Sequence, residues 1–202
     1  AYGVVFPVEA GNFESPLIER SQRSGEEKQR IAEEGVRRIG EAETIFVDEG
    51  FNPLLFARAL PQDRPVTVVT TSLPAASILA ARANSQVLMI GGRVRGRTLG
   101  VVDTMAVNTL AKLHLDLAVM GANGVSPTAG MTTPDPAVAD VKRAAMAAAR
   151  RCIFIGAHYK FGVVSLAQFA ELSEFDVIVT GRELRDSRAE KFTAAGATLV
   201  RA

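Results

Sequence analysis

Short apolar runs recur along this chain, each followed by a stretch in which apolar positions return at helical spacing. The runs Thr44–Asp48, Val66–Thr70, Gln86–Ile90, Leu115–Met120, Cys152–Ile155, Val177–Thr180 and Thr198–Val200 are rich in Val, Ile and Leu. They show little polar alternation, which predicts strands covered on both faces. Between them, helices are predicted over Gly25–Ile39, Pro53–Leu60, Leu73–Ala83, Thr104–Leu113, Pro136–Arg150 and Ser187–Ala194. Alternation of this length builds βαβ units, hence an α/β fold with a mostly parallel sheet and helices on both faces.

The helix starts share a chemistry. Asn52-Pro53 and Asp135-Pro136 each place an N-cap before a proline at the first helical position, and Ser72 can cap the helix after the second strand. Arg150-Arg151 puts positive charge at the expected end of the fifth helix. In an open parallel sheet, ligands collect outside the carboxyl ends of the strands. The loops Asp48–Asn52, Thr70–Ser72, Gly91–Arg97, Gly121–Thr133, Gly156–Gly162 and Thr180–Arg182 all fall there, and that convergence says more than any one of them.

Composition narrows the class. The chain has 202 residues, 48% of them hydrophobic and 22% charged, with 23 Lys and Arg against 22 Asp and Glu. A formal charge of +1 gives no sign of a nucleic-acid surface within this polypeptide. The single cysteine, Cys152, lies in an apolar run and reads as a small buried hydrophobe, which suits a reducing cytoplasm. No run is long enough to span a membrane. His114 and His158 have no Cys or His partner at metal-ligand spacing, so no metal site is expected, and nothing in the sequence asks for a cofactor. The opening AYGVVFPVEAGNFESP is punctuated by Gly and Pro and lacks a helix cap, which suggests a domain upstream.

Each loop has a plain reading beside a chemical one. Helix-start amides near Gly50, Phe51 and Asn52 favour an anion, with Asp48 able to accept from sugar hydroxyls; taken alone, the loop reads as a capped turn with solvated acids. Thr70, Thr71 and Ser72 offer hydroxyls at a strand end, where a cap is the ordinary role. In GGRVRGRTLG, Gly91 and Gly92 let backbone approach a ligand and Arg93, Arg95 and Arg97 can supply charge; a glycine turn with a solvated basic hairpin explains it equally well. It lacks the lysine and hydroxyl residue of a P-loop. GANGVSPTAGMTTPDP, residues 121–136, reads as a long, irregular loop rich in small residues, as functional loops are. Lys160 lies just beyond a buried strand and is either a phosphate ligand or a surface lysine. No Gly-x-Ser-x-Gly elbow occurs.

Taken together and in order, these segments resemble the effector-binding domain of DeoR-type transcriptional repressors, bacterial regulators of sugar metabolism. The resemblance runs from about Gly25 to the C-terminus: EEKQRIAEEGVRRIGEAETIFVDEG, VVTTS, MIGGRVRGRTLG, GANGVSPTAGMTTPDPAVADVKRAAM, HYKFG and VIVTG. It implies a fold similar to ribose-5-phosphate isomerase, glucosamine-6-phosphate deaminase and CoA transferases. It also implies that a phosphorylated sugar or sugar-alcohol effector is bound without turnover. DNA would be engaged only through an N-terminal winged helix-turn-helix that is not in this sequence. Residues 1–24 would then be the tail of the inter-domain linker and 25–202 the sensor domain, with a homo-oligomer expected by analogy. The implied pocket has Asp48, Gly50, Phe51, Asn52, Thr70, Thr71 and Ser72 on one side and Gly91, Gly92 and Arg93 across from them. Asn123, Gly124, Met131 and Thr132 cover it, and Lys160 meets the phosphate.

The departures are informative. Phe51-Asn52 stands where the family commonly has Thr-Thr, Thr71 where it has asparagine, and Ala157 and Gly181 where it has aspartates. A sugar-phosphate isomerase or deaminase needs a general base, but Gly121-Ala122-Asn123-Gly124 carries no carboxylate where the isomerase pattern has two. An oligomerisation module that has lost its ligand is the other alternative; Gly91, Gly92 and Lys160 speak against it.

Overall fold

The computed structural model describes residues 24–202; the linker assigned to residues 1–24 therefore lies almost wholly outside the described residues. Helix α1, Gly25–Arg37, leads into β1, Thr44–Val47. Then follow α2, Phe51–Ala59, β2, Val66–Thr70, α3, Leu73–Ala80, and β3, Ser85–Met89. A hairpin, β4 (Arg93–Val94) and β5 (Val101–Val102), precedes α4, Thr104–Leu110, and β6, Leu115–Met120. Strands β7, Gly124–Ser126, and β8, Gly130–Thr133, come before α5, Pro136–Ala147, and β9, Ala149–Ile155. The chain ends with β10, Ala167–Ala170, β11, Val177–Thr180, α6, Asp186–Ala194, and β12, Leu199–Arg201.

Seven strands form one sheet in the order β12-β11-β9-β6-β1-β2-β3. Every pairing in it is parallel, as Val47 opposite both Val119 and Thr70 illustrates. Alternate residues of the central strands feed opposite cores. Leu117 and Val119 of β6 pack with Ile31 of α1, Leu54 of α2 and Leu79 of α3. Ala118 and Met120 pack instead with Leu110 of α4, Ala139 of α5 and Phe192 of α6. Two buried faces explain why the apolar runs lack alternation. Asp116 ties the start of β6 to β1 by accepting from Thr44 N at 2.9 Å, Thr44 Oγ1 at 2.8 Å and Glu43 N at 3.1 Å. Those donors, the Thr44 amide foremost, hold its carboxyl below the usual carboxylate range.

Three expectations need correction. First, α5 stops at Ala147, and Arg150 and Arg151 belong to β9, because Ala149 and Arg151 pair with Leu115 and Leu117 of β6. Sheet pairing overrides the helical propensity of the alanine-rich stretch. Second, α2 begins at Phe51 with Gly50 as N-cap, so Asn52 is not the cap but lies inside the first turn. Asp135 and Ser72 do cap, accepting from Ala137 N and Ala75 N. Third, the 121–136 loop is not irregular. Its β7 and β8 pair antiparallel with each other and with β10 in a three-stranded sheet. No helix among the described residues is long and apolar enough to cross a membrane.

Cys152 is buried in β9 beside Asp176 and Glu174, and burial first, then those acids, push its thiol up to about 12. The native thiol is expected to resist alkylation at pH 8 and to react at the rate of a free thiol once urea unfolds the chain. Fast labelling of the native protein would contradict that. Because the folded value lies above the unfolded one, near 9.0, this group's contribution to stability is complete below pH 9 and declines as pH rises toward 12.

Candidate functional site

The strand order reverses at β1. From β1 the chain steps to β2 and β3, then returns to place β6 on the other side of β1. Connections leaving β1 and β6 diverge, which opens a crevice outside the carboxyl ends of these strands. A cleft lies there, lined by Lys28, Glu49, Gly50, Phe51, Asn52, Pro53, Gly121, Ala122, Asn123, Lys142, Tyr159 and Lys160. Its free space is ≈ 20 Å³, enough for about one water and far below the ~300 Å³ at which small-molecule pockets begin. Entry of anything larger requires side chains of the rim to move.

Gly50 makes the turn from β1 into α2. Its φ of 110° is readily reached only by a residue without Cβ. No side chain caps α2, and Pro53 has no N–H, so the amides of Phe51 and Asn52 begin the helix without intrahelical partners. They sit on the cleft wall at the positive end of the helix dipole.

Behind that wall is a buried ion pair. Asp48 and Lys142 have side chains only 1% and 4% exposed. Lys142 Nζ donates to Asp48 Oδ2 and, at 3.0 Å, to the Gly121 carbonyl. Asp48 Oδ2 also accepts from Gly121 N at 2.8 Å. The pair thus fixes the loop after β6 to the loop after β1. Glu49 is held separately: Arg95 of the β4–β5 hairpin reaches it at 3.0 Å, and Thr98 Oγ1 donates to its Oε2. Arg95 also meets Asp135, the cap of α5, at 3.2 Å.

Lys28 enters from α1. Its side chain is buried, and Nζ lies 5.2 Å from the Phe51 ring centroid and 5.6 Å from that of Tyr159, within cation–π range. Lys160 Nζ donates to the Ala122 carbonyl at 2.6 Å. The lining therefore contains three lysines against one glutamate; with Asp48 counted behind it, the cleft still carries an excess of positive charge.

Next to it, the buried Glu27 accepts from His158 N at 2.7 Å and lies 3.0 and 2.9 Å from His158 Nδ1. Glu27, His158 and Glu183 form a grouping of metal-capable donors within 4.8 Å of one another. In this structure Arg30 takes Glu183 at 2.6 Å. The ligand-spacing rule could not see this grouping, since Glu27 and His158 are 131 residues apart.

Of the residues proposed from sequence, Gly50, Phe51, Asn52, Asn123 and Lys160 come together on the cleft. Asp48 is adjacent but faces Lys142 rather than the opening. Thr70 Oγ1 is spent on Val47 O at 2.6 Å and on Ser72 N at 3.0 Å, and Ser72 caps α3. Thr71 Oγ1 is buried without a hydrogen-bond partner, away from the lining. Gly91, Gly92 and Arg93 lie outside the cleft. Gly92 is required because a Cβ would press on Val102 of β5, and Arg93 is exposed with its guanidinium on Asp103 at 2.8 Å. Gly124, Met131 and Thr132 are buried in the small sheet; Thr132 O accepts from Asn123 N at 3.0 Å and so positions a lining residue at second hand.

Lys28, Lys142 and Tyr159 were absent from the set proposed from sequence. A signal did exist for the first two. Lys28 shares a helix face with Ile31 and Ala32, and Lys142 with Val138, Ala139, Ala145 and Met146, all buried. A lysine on the apolar stripe of a helix needs an anionic or aromatic partner in the interior.

Comparison with known proteins places these features in a family. The chain is similar to the HTH-type transcriptional regulator GlpR of Haloferax volcanii, with 28% identity over 200 residues, 99% of this chain and 78% of that protein. It is 26% identical to the glycerol-3-phosphate regulon repressor of Escherichia coli over 178 residues, covering 88% and 70% of the two chains. Among solved structures, the tetrameric eIF2B-β2δ2 complex from C. thermophilum has a TM-score of 0.55 at 13% identity, over 80% of this chain and 56% of that one. Ribose 5-phosphate isomerase A from Neisseria gonorrhoeae scores 0.46 at 21% identity, over 68% and 53%. The chain spans about half the length of these structures, and the likeness to the eIF2B subunits concerns the fold alone. The family described as "DeoR C terminal sensor domain" matches residues 23–182, most of the chain, and the protein belongs to that family of sensor domains of transcriptional regulators.

Proposed function

We propose that the cleft binds a phosphorylated sugar or sugar alcohol without turning it over, and that binding controls how a partner domain holds DNA. One observation carries this reading: Lys28, Lys142, Lys160 and the uncapped start of α2 converge on one small space at the switch point. Positive side chains beside helix-start amides suit a phosphate dianion. The absence of turnover is supported by the state of the two acids nearby. Asp48 is engaged by Lys142 and Glu49 by Arg95 and Thr98, so neither stands over the space as a general base. The relative from Escherichia coli is named for a glycerol-3-phosphate regulon, which agrees with an effector of this chemical class.

Lys160 supplies the test. Titration calorimetry of Lys160→Met is expected to show about 10- to 100-fold weaker binding of a phosphorylated sugar, the worth of one charge-assisted hydrogen bond. Binding of the unphosphorylated sugar should hardly change. Methionine keeps the apolar stem of the side chain and loses both the charge and the Nζ bond to the Ala122 carbonyl. Equal losses for both ligands would remove the phosphate assignment, and measurable isomerisation or deamination would replace the sensor by an enzyme.

A further inference from the structure

We infer that Asn52 reads a hydroxyl group of the effector and is the residue by which this protein distinguishes a polyol phosphate from a bare phosphate or a hydroxyl-free ester. The inference rests on the anion-binding reading of the cleft and goes on to assign the part of the ligand that is not phosphate.

Asn52 is 3% exposed and lines the cleft. Its Nδ2 donates to the Ile155 carbonyl at 3.4 Å. A carbonyl can only accept, so turning the amide over would set oxygen against oxygen, and the orientation is determined. That leaves Oδ1, which is buried without a hydrogen-bond partner. A buried acceptor left unmatched is costly, and native proteins keep few of them.

The chemistry of Oδ1 restricts what can match it. It accepts and cannot donate, and an ionised phosphate likewise only accepts. The phosphate therefore belongs with the lysines and helix-start amides, and Oδ1 requires an O–H or N–H from elsewhere on the ligand. The side chain before it, Phe51, has no hydrogen-bonding atom and is held against Lys28, so it cannot supply that donor. The free space of ≈ 20 Å³ is of the size of one oxygen-bearing group. Once rim side chains move to admit the ester phosphate to Lys28 and Lys160, a hydroxyl of the same ligand can enter beside Asn52 and donate to Oδ1. Sites built to bond a hydroxyl reject analogues lacking it, because the protein's own polar group is then stranded.

The experiment is titration calorimetry of the chain with glycerol 3-phosphate, fructose 1-phosphate, fructose 6-phosphate and glucose 6-phosphate, using propyl phosphate and inorganic phosphate as hydroxyl-free controls. Wild type is expected to bind at least one hydroxylated ester about 10- to 100-fold more tightly than propyl phosphate. Asn52→Leu, close in shape, should lose that preference, so that the hydroxylated esters fall to the affinity of propyl phosphate. Asn52→Asp keeps an acceptor and should keep the preference, although its charge weakens all phosphates together. If Asn52→Leu does not fold, the wild-type preference and its survival in Asn52→Asp decide the matter. Equal affinity of wild type for propyl phosphate and every hydroxylated ester would overturn the role of Asn52 while leaving the anion site standing. A uniform loss across all esters in Asn52→Leu would reduce Asn52 to a structural residue. If no phosphate compound binds wild type, the reading of the cleft itself fails, and this inference with it.

Discussion

Lys142→Met is expected to destabilise the domain by about 3–5 kcal/mol, because it leaves the carboxylate of Asp48 buried without its cation. Both side chains are almost inaccessible to solvent, so water cannot take over the lost partner. For a chain of this length the cost corresponds to a melting temperature lower by on the order of 10 °C. Urea unfolding measures it directly. The double variant Asp48→Asn, Lys142→Met should recover more than half of the loss, since the amide still accepts from Gly121 N and no charge remains buried. A single-variant loss below about 1 kcal/mol would mean that the pair is solvated, as surface pairs are. The pair also joins the loops after β1 and β6, and Lys142 holds the Gly121 carbonyl next to Ala122 and Asn123 of the cleft. Its removal should therefore loosen the site as well as the fold.

Gly130→Ala is expected to cost about 3 kcal/mol by a different route. Gly130 has a φ of 62°, where a side chain costs roughly 1–2 kcal/mol. A Cβ there would also collide with the carbonyl oxygen of Ala170, which is backbone and cannot step aside as a flexible side chain would. The contact lies where β8 pairs with β10, so relief means parting the three-stranded sheet. Denaturation would show a lower midpoint with an unchanged slope. Because Thr132 of the same strand accepts from Asn123 N, effector affinity should fall with stability. A variant as stable as wild type would show that this sheet is not built as described.

The parallel sheet was readable because both of its faces are buried, which leaves continuous Val- and Ile-rich runs such as VTVVT and CIFI. The small antiparallel sheet was not readable for the opposite reason. GVS and GMTT are short, glycine-containing and only weakly apolar, and they become strands through pairing with each other and with β10 rather than by propensity. The same competition moved Arg150 and Arg151 from an alanine-rich helix into β9, where β6 supplies the hydrogen bonds.

At the site, local chemistry singled out Gly50, Phe51, Asn52, Asn123 and Lys160, each beside a strand end where the sheet topology collects loops, and these five line the cleft. The glycine-rich hairpin, also singled out, stays off the cleft lining, although its Arg95 straps Glu49. Local chemistry passed over Lys28 and Lys142 because a lysine within a helix reads as solvated, and only their place on the apolar stripe hinted otherwise.

By itself, then, the sequence determined the alternation of strands and helices, the order of the loops along one sheet edge and the family to which the chain belongs, because periodicity and ordered motifs are properties of neighbouring residues. What the tertiary structure alone decided is the electrostatics of the cleft. Asp48 meets Lys142 across 94 residues of chain, Lys28 reaches Phe51 and Tyr159 from another helix, and Asn52 is left with an unmatched acceptor. Burial and partner choice depend on what packs against a residue, and that is settled only when distant segments meet.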